Sequence, residues 1–149
     1  MDRRELLEAT AAAMTLAAVG GSAFAADKPA GEHVHQHAAS KYGALATSAG
    51  HCVETGQVCI NHCLEVLATG DKELVACAQS VQQLISACVS LQELSNYNSK
   101  YVPAMAKVVM DVCKDCEEEC KKHAKKHEQC KKCGEACNDC AKECKKVVG

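Results

Sequence analysis

The stretch that decides the fold is Cys130-Lys-Lys-Cys133-Gly-Glu-Ala-Cys137-Asn-Asp-Cys140-Ala-Lys-Glu-Cys144. Its five cysteines step by 3, 4, 3 and 4 residues. At about 100° per residue they fall within an arc of about 80° on a helix, and at about 1.5 Å rise they form a file about 21 Å long. The other faces carry Lys131, Lys132, Glu135, Asp139, Lys142, Glu143, Lys145 and Lys146. Between Glu128 and Lys146 there is no Leu, Ile, Val, Met or Phe. An amphipathic helix needs an apolar stripe to bury, and here that stripe is made of sulfur.

The same spacing recurs upstream. Cys113, Cys116 and Cys120 step 3 and 4; Cys52, Cys59 and Cys63 step 7 and 4; Cys77 and Cys88 stand 11 apart, or about three turns. Four helices follow from the periodicity and its breaks. The first runs from about Ala39 to Ala68 and stops at Thr69-Gly70, after which Asp71 reads as an N-cap. The second, from about Lys72 to Leu94, places Leu74, Cys77, Val81, Leu84, Ile85 and Cys88 on one stripe. A polar loop, Ser95 to Ser99, precedes Pro103, which suits a first helical turn. The third ends near Lys122 and the fourth spans about Glu128 to Val147. No Gly or Pro marks the break between them. It rests on a phase slip, because the stripe 113, 116, 120, 123, 127, 130 steps regularly and then repeats a step of three to 133. The predicted fold is all-α, an antiparallel up-down-up-down four-helix bundle over residues 39–149 with a cysteine-lined core.

Composition narrows the function. The chain has 149 residues, a formal net charge of -2, 13 Cys, no Trp, one Phe and three Tyr. That charge offers no basic field for nucleic acid. The scarcity of aromatics argues against a deep aromatic-lined pocket. No Ser/His/Asp set and no phosphate loop is present, and thiols such as Cys63, beside His62, are too numerous to single out one nucleophile. An enzyme is not expected.

The first 25 residues read as a leader. Asp2-Arg3-Arg4-Glu5-Leu6-Leu7 opens the chain, a mild apolar run follows, and Ala23-Phe24-Ala25 supplies a cleavage site. The pair Arg3-Arg4 suggests the twin-arginine route. Export to the periplasm, or to an internal-membrane lumen, is the expectation, with no membrane association once the leader is removed. Residues 26–38, with Pro29, Gly31 and alternating His33, His35 and His37, read as a flexible tail.

Four uses compete for the thiols. As plain core residues, a stripe of five with no aliphatic among them would leave a bundle underfilled. As a disulfide scaffold the odd count leaves one unpaired, and helical neighbours three or four apart stand about 5–6 Å apart at Cβ, against about 3.8 Å for a bridge. Cys120 and Cys130 keep the nine-residue gap of a helical-hairpin disulfide, so a disulfide-rich or thiol-redox protein of the periplasm is the alternative. For zinc, Cys113-x-x-Cys116 and Cys130-x-x-Cys133 lack the turns on which such pairs normally converge. Cu(I) is a soft ion that takes two or three thiolates, and i,i+4 pairs such as Cys59/Cys63, Cys116/Cys120, Cys133/Cys137 and Cys140/Cys144 can straddle one without unwinding the helix. If each sulfur bridges two ions, capacity is roughly one Cu(I) per thiolate, about a dozen per chain.

With Cys113-Lys-Asp-Cys116-Glu-Glu-Glu-Cys120 and the Cys130–Cys144 run, the chain resembles the bacterial copper storage proteins, cysteine-lined four-helix bundles of which exported members carry twin-arginine leaders. The resemblance implies that all thirteen cysteines (Cys52, Cys59, Cys63, Cys77, Cys88, Cys113, Cys116, Cys120, Cys130, Cys133, Cys137, Cys140 and Cys144) ligate Cu(I). It implies copper access at one bundle end, where His62, His123 and His127 gather; the family's methionines are missing there, since Met105 and Met110 lie towards the other end. It also implies a homo-oligomer, a tetramer in the family, and a copper chaperone or copper enzyme as recipient.

Overall fold

A computed structural model describes residues 40–149 of the chain. The leader expected at 1–25 with Arg3 and Arg4, and the tail at 26–38 with its three histidines, lie outside the described residues. Four helices follow: α1 (Gly43–Ala68), α2 (Val75–Asn96), α3 (Val102–His123) and α4 (Glu128–Val148). The backbone of each helix packs on two others, α1 on α2 and α4, α3 on α2 and α4, and across the diagonals only side chains meet. Short connections make neighbours antiparallel, as expected of an up-down-up-down bundle. Among the described residues there is no strand, and no helix is long and apolar enough to cross a membrane.

The predicted hairpin break between α3 and α4 is observed at residues 124–127. Pro103 lies in the first turn of α3, where its missing N–H costs no helical bond. Two helix starts differ from expectation. α1 begins at Gly43 rather than Ala39, because Ser40 turns aside: its hydroxyl contacts the Ser95 carbonyl at 2.7 Å and Asn98 Oδ1 at 2.8 Å. That fastens the start of α1 to the α2–α3 turn, where Asn98 adopts φ 51° and Ser99 N–H donates to the Leu94 carbonyl. α2 begins at Val75 rather than Lys72. Asp71 does not cap it; its carboxylate accepts from the Glu73 N–H at 2.8 Å in a local turn, and Leu74 instead goes into the core with no exposure.

The core changes composition along its axis. At the end holding the start of α1 and the α2–α3 turn it is aliphatic: Leu45, Ala49, Leu91, Val102, Ala106 and Val109. Towards the other end the buried stripes of α1, α3 and α4 turn to sulfur, while α2 keeps Val81 and Leu84 between Cys88 and Cys77. Two glycines set helix spacing. A Cβ at Gly56 of α1 would meet Ile85 Cγ1 of α2 at 2.9 Å, and one at Gly134 of α4 would meet Cys120 Cβ of α3 at 3.3 Å. Gly56→Leu should therefore destabilise the copper-free protein by about 1–3 kcal/mol through overpacking. Gly43→Ala, where nothing lies within 4 Å, should change stability by less than about 0.5 kcal/mol. Thermal unfolding of both variants compares them directly.

Candidate metal centre

All thirteen cysteines point inward, each with no exposed surface, and all are free thiols. The sulfur pairs Cys59–Cys130, Cys77–Cys120 and Cys77–Cys130 stand at 3.9 Å in hydrogen-bonding geometry. A disulfide needs about 2.05 Å. Cys120 and Cys130, the pair whose spacing suggested a hairpin bridge, are unbridged, and each faces Cys77 instead.

The sulfurs collect into four groups, within each of which they all lie within 4.8 Å of one another. Cys52, Cys88, Cys113 and Cys140 form one, with one residue from each helix. Cys116, Cys133 and Cys137 form the next, and Cys59, Cys120 and Cys133 a third. Cys59, Cys63, Cys77 and Cys130 close the column at the far end. Cys133 and Cys59 each belong to two groups, so the last three are one continuous file of sulfur. Cys144 alone joins no group; its thiol is raised chiefly by hydrogen bonding with Cys140, one turn away. Of the i,i+4 pairs read from sequence, Cys59/Cys63 and Cys133/Cys137 share a group, whereas Cys116 and Cys120 fall in different ones. With metal–thiolate bonds of about 2.3 Å, two sulfurs across a digonal ion stand about 4.6 Å apart, so the spacing suits ions lodged between them.

The thiols do not behave as independent groups. Hydrogen bonding from Cys113, and then from Cys137, lowers Cys52 to about 6, against burial that acts to raise it. Cys140 is lowered too, chiefly by Cys113, whereas Cys88 is raised, chiefly by its bond with Cys113. In the far group Cys77 is lowered, first by Cys120, and Cys63, first by Cys130; Cys59 is raised, first by Cys120. An S–H that donates to a neighbouring sulfur favours the neighbour's thiolate and retains its own proton. Complete ionisation of such a buried cluster requires cations among the sulfurs.

One turn beyond the far group lie the histidines. His62 Nε2 and His127 Nδ1 are 2.8 Å apart, so one ring donates to the other. His123, 8 % exposed, lies beside them with its ring centre 6.5 Å from that of His127. The three are together at one end, as expected. They do not converge on a point, for every group of three or more that meets within 4.8 Å among the described residues is made of cysteine alone. Periodicity gave no sign of Glu73, which joins this end from the α1–α2 turn. Its carboxylate oxygens are 3.1 and 3.3 Å from Lys126 Nζ, and one is 3.7 Å from His123 Nδ1. The Lys126 ammonium holds the Glu73 carboxyl below its ordinary range.

The sequence pattern of the family described as copper storage protein matches residues 36–149. The chain belongs to the copper storage protein family. No curated protein sequence matches it. Solved structures do: the copper storage protein Ccsp of Streptomyces lividans loaded with 10 copper equivalents has a TM-score of 0.66 at 23% identity, over 72% of this chain and 83% of that one. Copper storage protein 3 of Bacillus subtilis matches in its Cu(I)-bound form with a TM-score of 0.65 at 23% identity, over 73% of this chain and 100% of that one. Its apo form gives 0.63 at 24%, over 71% and 97%.

These neighbours correct the expectation of export. The Streptomyces lividans protein, with five coppers loaded, is a cytosolic copper storage protein. That cysteine-lined bundle works in a compartment that itself keeps thiols reduced, so periplasmic placement does not follow from the architecture. Burial and the free state of the thiols lead to a direct count. Anaerobically prepared, reduced protein should react slowly with a thiol reagent when folded and yield thirteen thiols per chain once denatured. A count far below thirteen would indicate disulfides.

Proposed function

We propose that the thiol column of this chain is a store for about a dozen Cu(I) ions, with all thirteen cysteines as ligands. What carries the reading is the continuity of the column, in which sulfurs shared between groups let bridging thiolates hold adjacent ions. Two or three thiolates, shared with neighbouring ions, satisfy Cu(I), and each ion neutralises a buried anion that would otherwise be strongly unfavourable. A site for handling a single ion needs two or three cysteines; thirteen in file amount to a reservoir. The protein has no catalytic role in this reading. A copper chaperone or a copper enzyme is the recipient.

Copper passes in and out at the end where His62, His123 and His127 stand. The imidazoles are borderline ligands placed one turn from the Cys59/Cys63/Cys77/Cys130 group, and the aliphatic layer closes the opposite end. Titration of reduced protein with Cu(I) against a competing chelator should saturate near a dozen equivalents; saturation at one or two would overturn storage. Joint replacement of His62 and His127 by Ala should leave that capacity intact and slow the uptake severalfold in stopped-flow measurements.

A second copy of the chain packs on the outer face of α2. Glu93 is the only charged residue between Val75 and Asn96, and Val75 and Val89 lie exposed among Ser and Gln. Depletion of charge marks the centre of protein interfaces. Sedimentation should give a mass that is a multiple of the chain's, and Val75→Lys with Val89→Lys should lower it.

A further inference from the structure

The group Cys52, Cys88, Cys113 and Cys140 differs from the rest of the column. It takes one thiol from each helix and shares none of its sulfurs with another group. All four are fully buried. In a helix every Cα–Cβ bond leans towards the N-terminus. In an antiparallel bundle the thiols of α1 and α3 therefore lean one way along the axis, and those of α2 and α4 the other. Two up and two down, alternating around a square, is the disposition of a tetrahedron.

The distances agree. Four sulfurs at about 2.3 Å from one ion stand about 3.8 Å apart, and these four lie within 4.8 Å of one another before any ion draws them in. The objection to zinc at the level of sequence is that Cys-x-x-Cys pairs need turns to converge. It does not apply here, because the four ligands come from four helices and no two are near in sequence.

We propose that this tetrad is a tetrahedral tetrathiolate site for one divalent d¹⁰ cation, zinc or cadmium, which fastens all four helices together when copper is scarce. Binding forms four metal–sulfur bonds and releases the protons of those thiols to solvent, with no change of oxidation state. The Cys52 S–H, now 3.1 Å from the Ala136 carbonyl, gives up that contact and turns to the ion. Tetrahedral sulfur coordination with no open position is that of structural zinc sites. Softer Cu(I) in excess displaces the divalent ion, so the site is compatible with storage and does not depend on it.

The test is a titration of reduced, copper-free protein with Cd²⁺ against a competing chelator, followed by thiolate-to-cadmium charge-transfer absorbance. One tight equivalent is expected, with a ¹¹³Cd resonance in the range of four sulfur ligands and a higher melting temperature for the loaded protein. Cys88→Ala should abolish that step, and Cys88→Ser, closer in volume, should do the same. Cys63→Ala, in the separate group at the histidine end, should retain it. Zn²⁺ should compete for the same equivalent. Helical circular dichroism, and a Cu(I) capacity reduced by only about one, would show that the Cys88 variants are folded. The proposal fails if no Cd²⁺ is held against the chelator, if Cys88→Ala keeps the first equivalent, or if Cys63→Ala is the variant that loses it. The parallel Cu(I) titration keeps such a failure distinct from a failure of storage.

Discussion

A buried thiolate needs a cation, and much of this molecule's arrangement follows from having thirteen potential thiolates facing one axis. Without metal the thiols satisfy each other through S–H contacts, some held towards ionisation and others kept protonated by the same neighbours. That arrangement is weak: sulfur is a poor donor and a poor acceptor. With Cu(I) the protons leave, and each positive charge takes over what the S–H contacts did. Metal binding and folding stability are therefore coupled in this protein.

Because the thiols contribute little cohesion of their own, the metal-free bundle must be held elsewhere. The aliphatic layer formed by Leu45, Leu91, Val102 and Val109 does so at one end, with the Ser40–Asn98 clasp fastening it. The α1–α2 pair adds Val81 and Ile85 packed around Gly56, with Leu84 also in the core. α4 is the extreme case. Its buried positions are five cysteines, Ala136 and Gly134, so it depends on close approach to α3 at Gly134 rather than on large side chains. The division of labour is spatial: hydrocarbon fixes the scaffold, and sulfur is left free to rearrange around ions.

Much of the fold was legible in the residues. The 3-4 stepping of cysteine fixes helix and face together, and the absence of aliphatic residues in α4 leaves only one stripe to bury. Even the α3–α4 hairpin, which has no Gly or Pro, showed itself as a slip in phase before Cys133. The helix starts were less legible. Ser40 and Asp71 both have the side chain of an N-cap, yet Ser40 is taken by Asn98 and Asp71 by the Glu73 backbone N–H. Local pattern cannot weigh a cap against a partner from another part of the chain. Glu73 was missed at the histidine end for the same reason, since a charged residue in a polar turn carries no periodic signal.

The sequence by itself determined that thirteen thiols would line the inside of four helices, because spacing dictates the face of a helix and a bundle buries that face. Only the tertiary structure decided which sulfurs meet. Cys52, Cys88, Cys113 and Cys140 are no closer than 25 residues in the chain, yet they share one layer; Cys116 and Cys120, one turn apart, fall in different groups. The physical reason is the axial register of helix against helix. It is set by turn lengths and by packing at Gly56 and Gly134, quantities that no single helix contains.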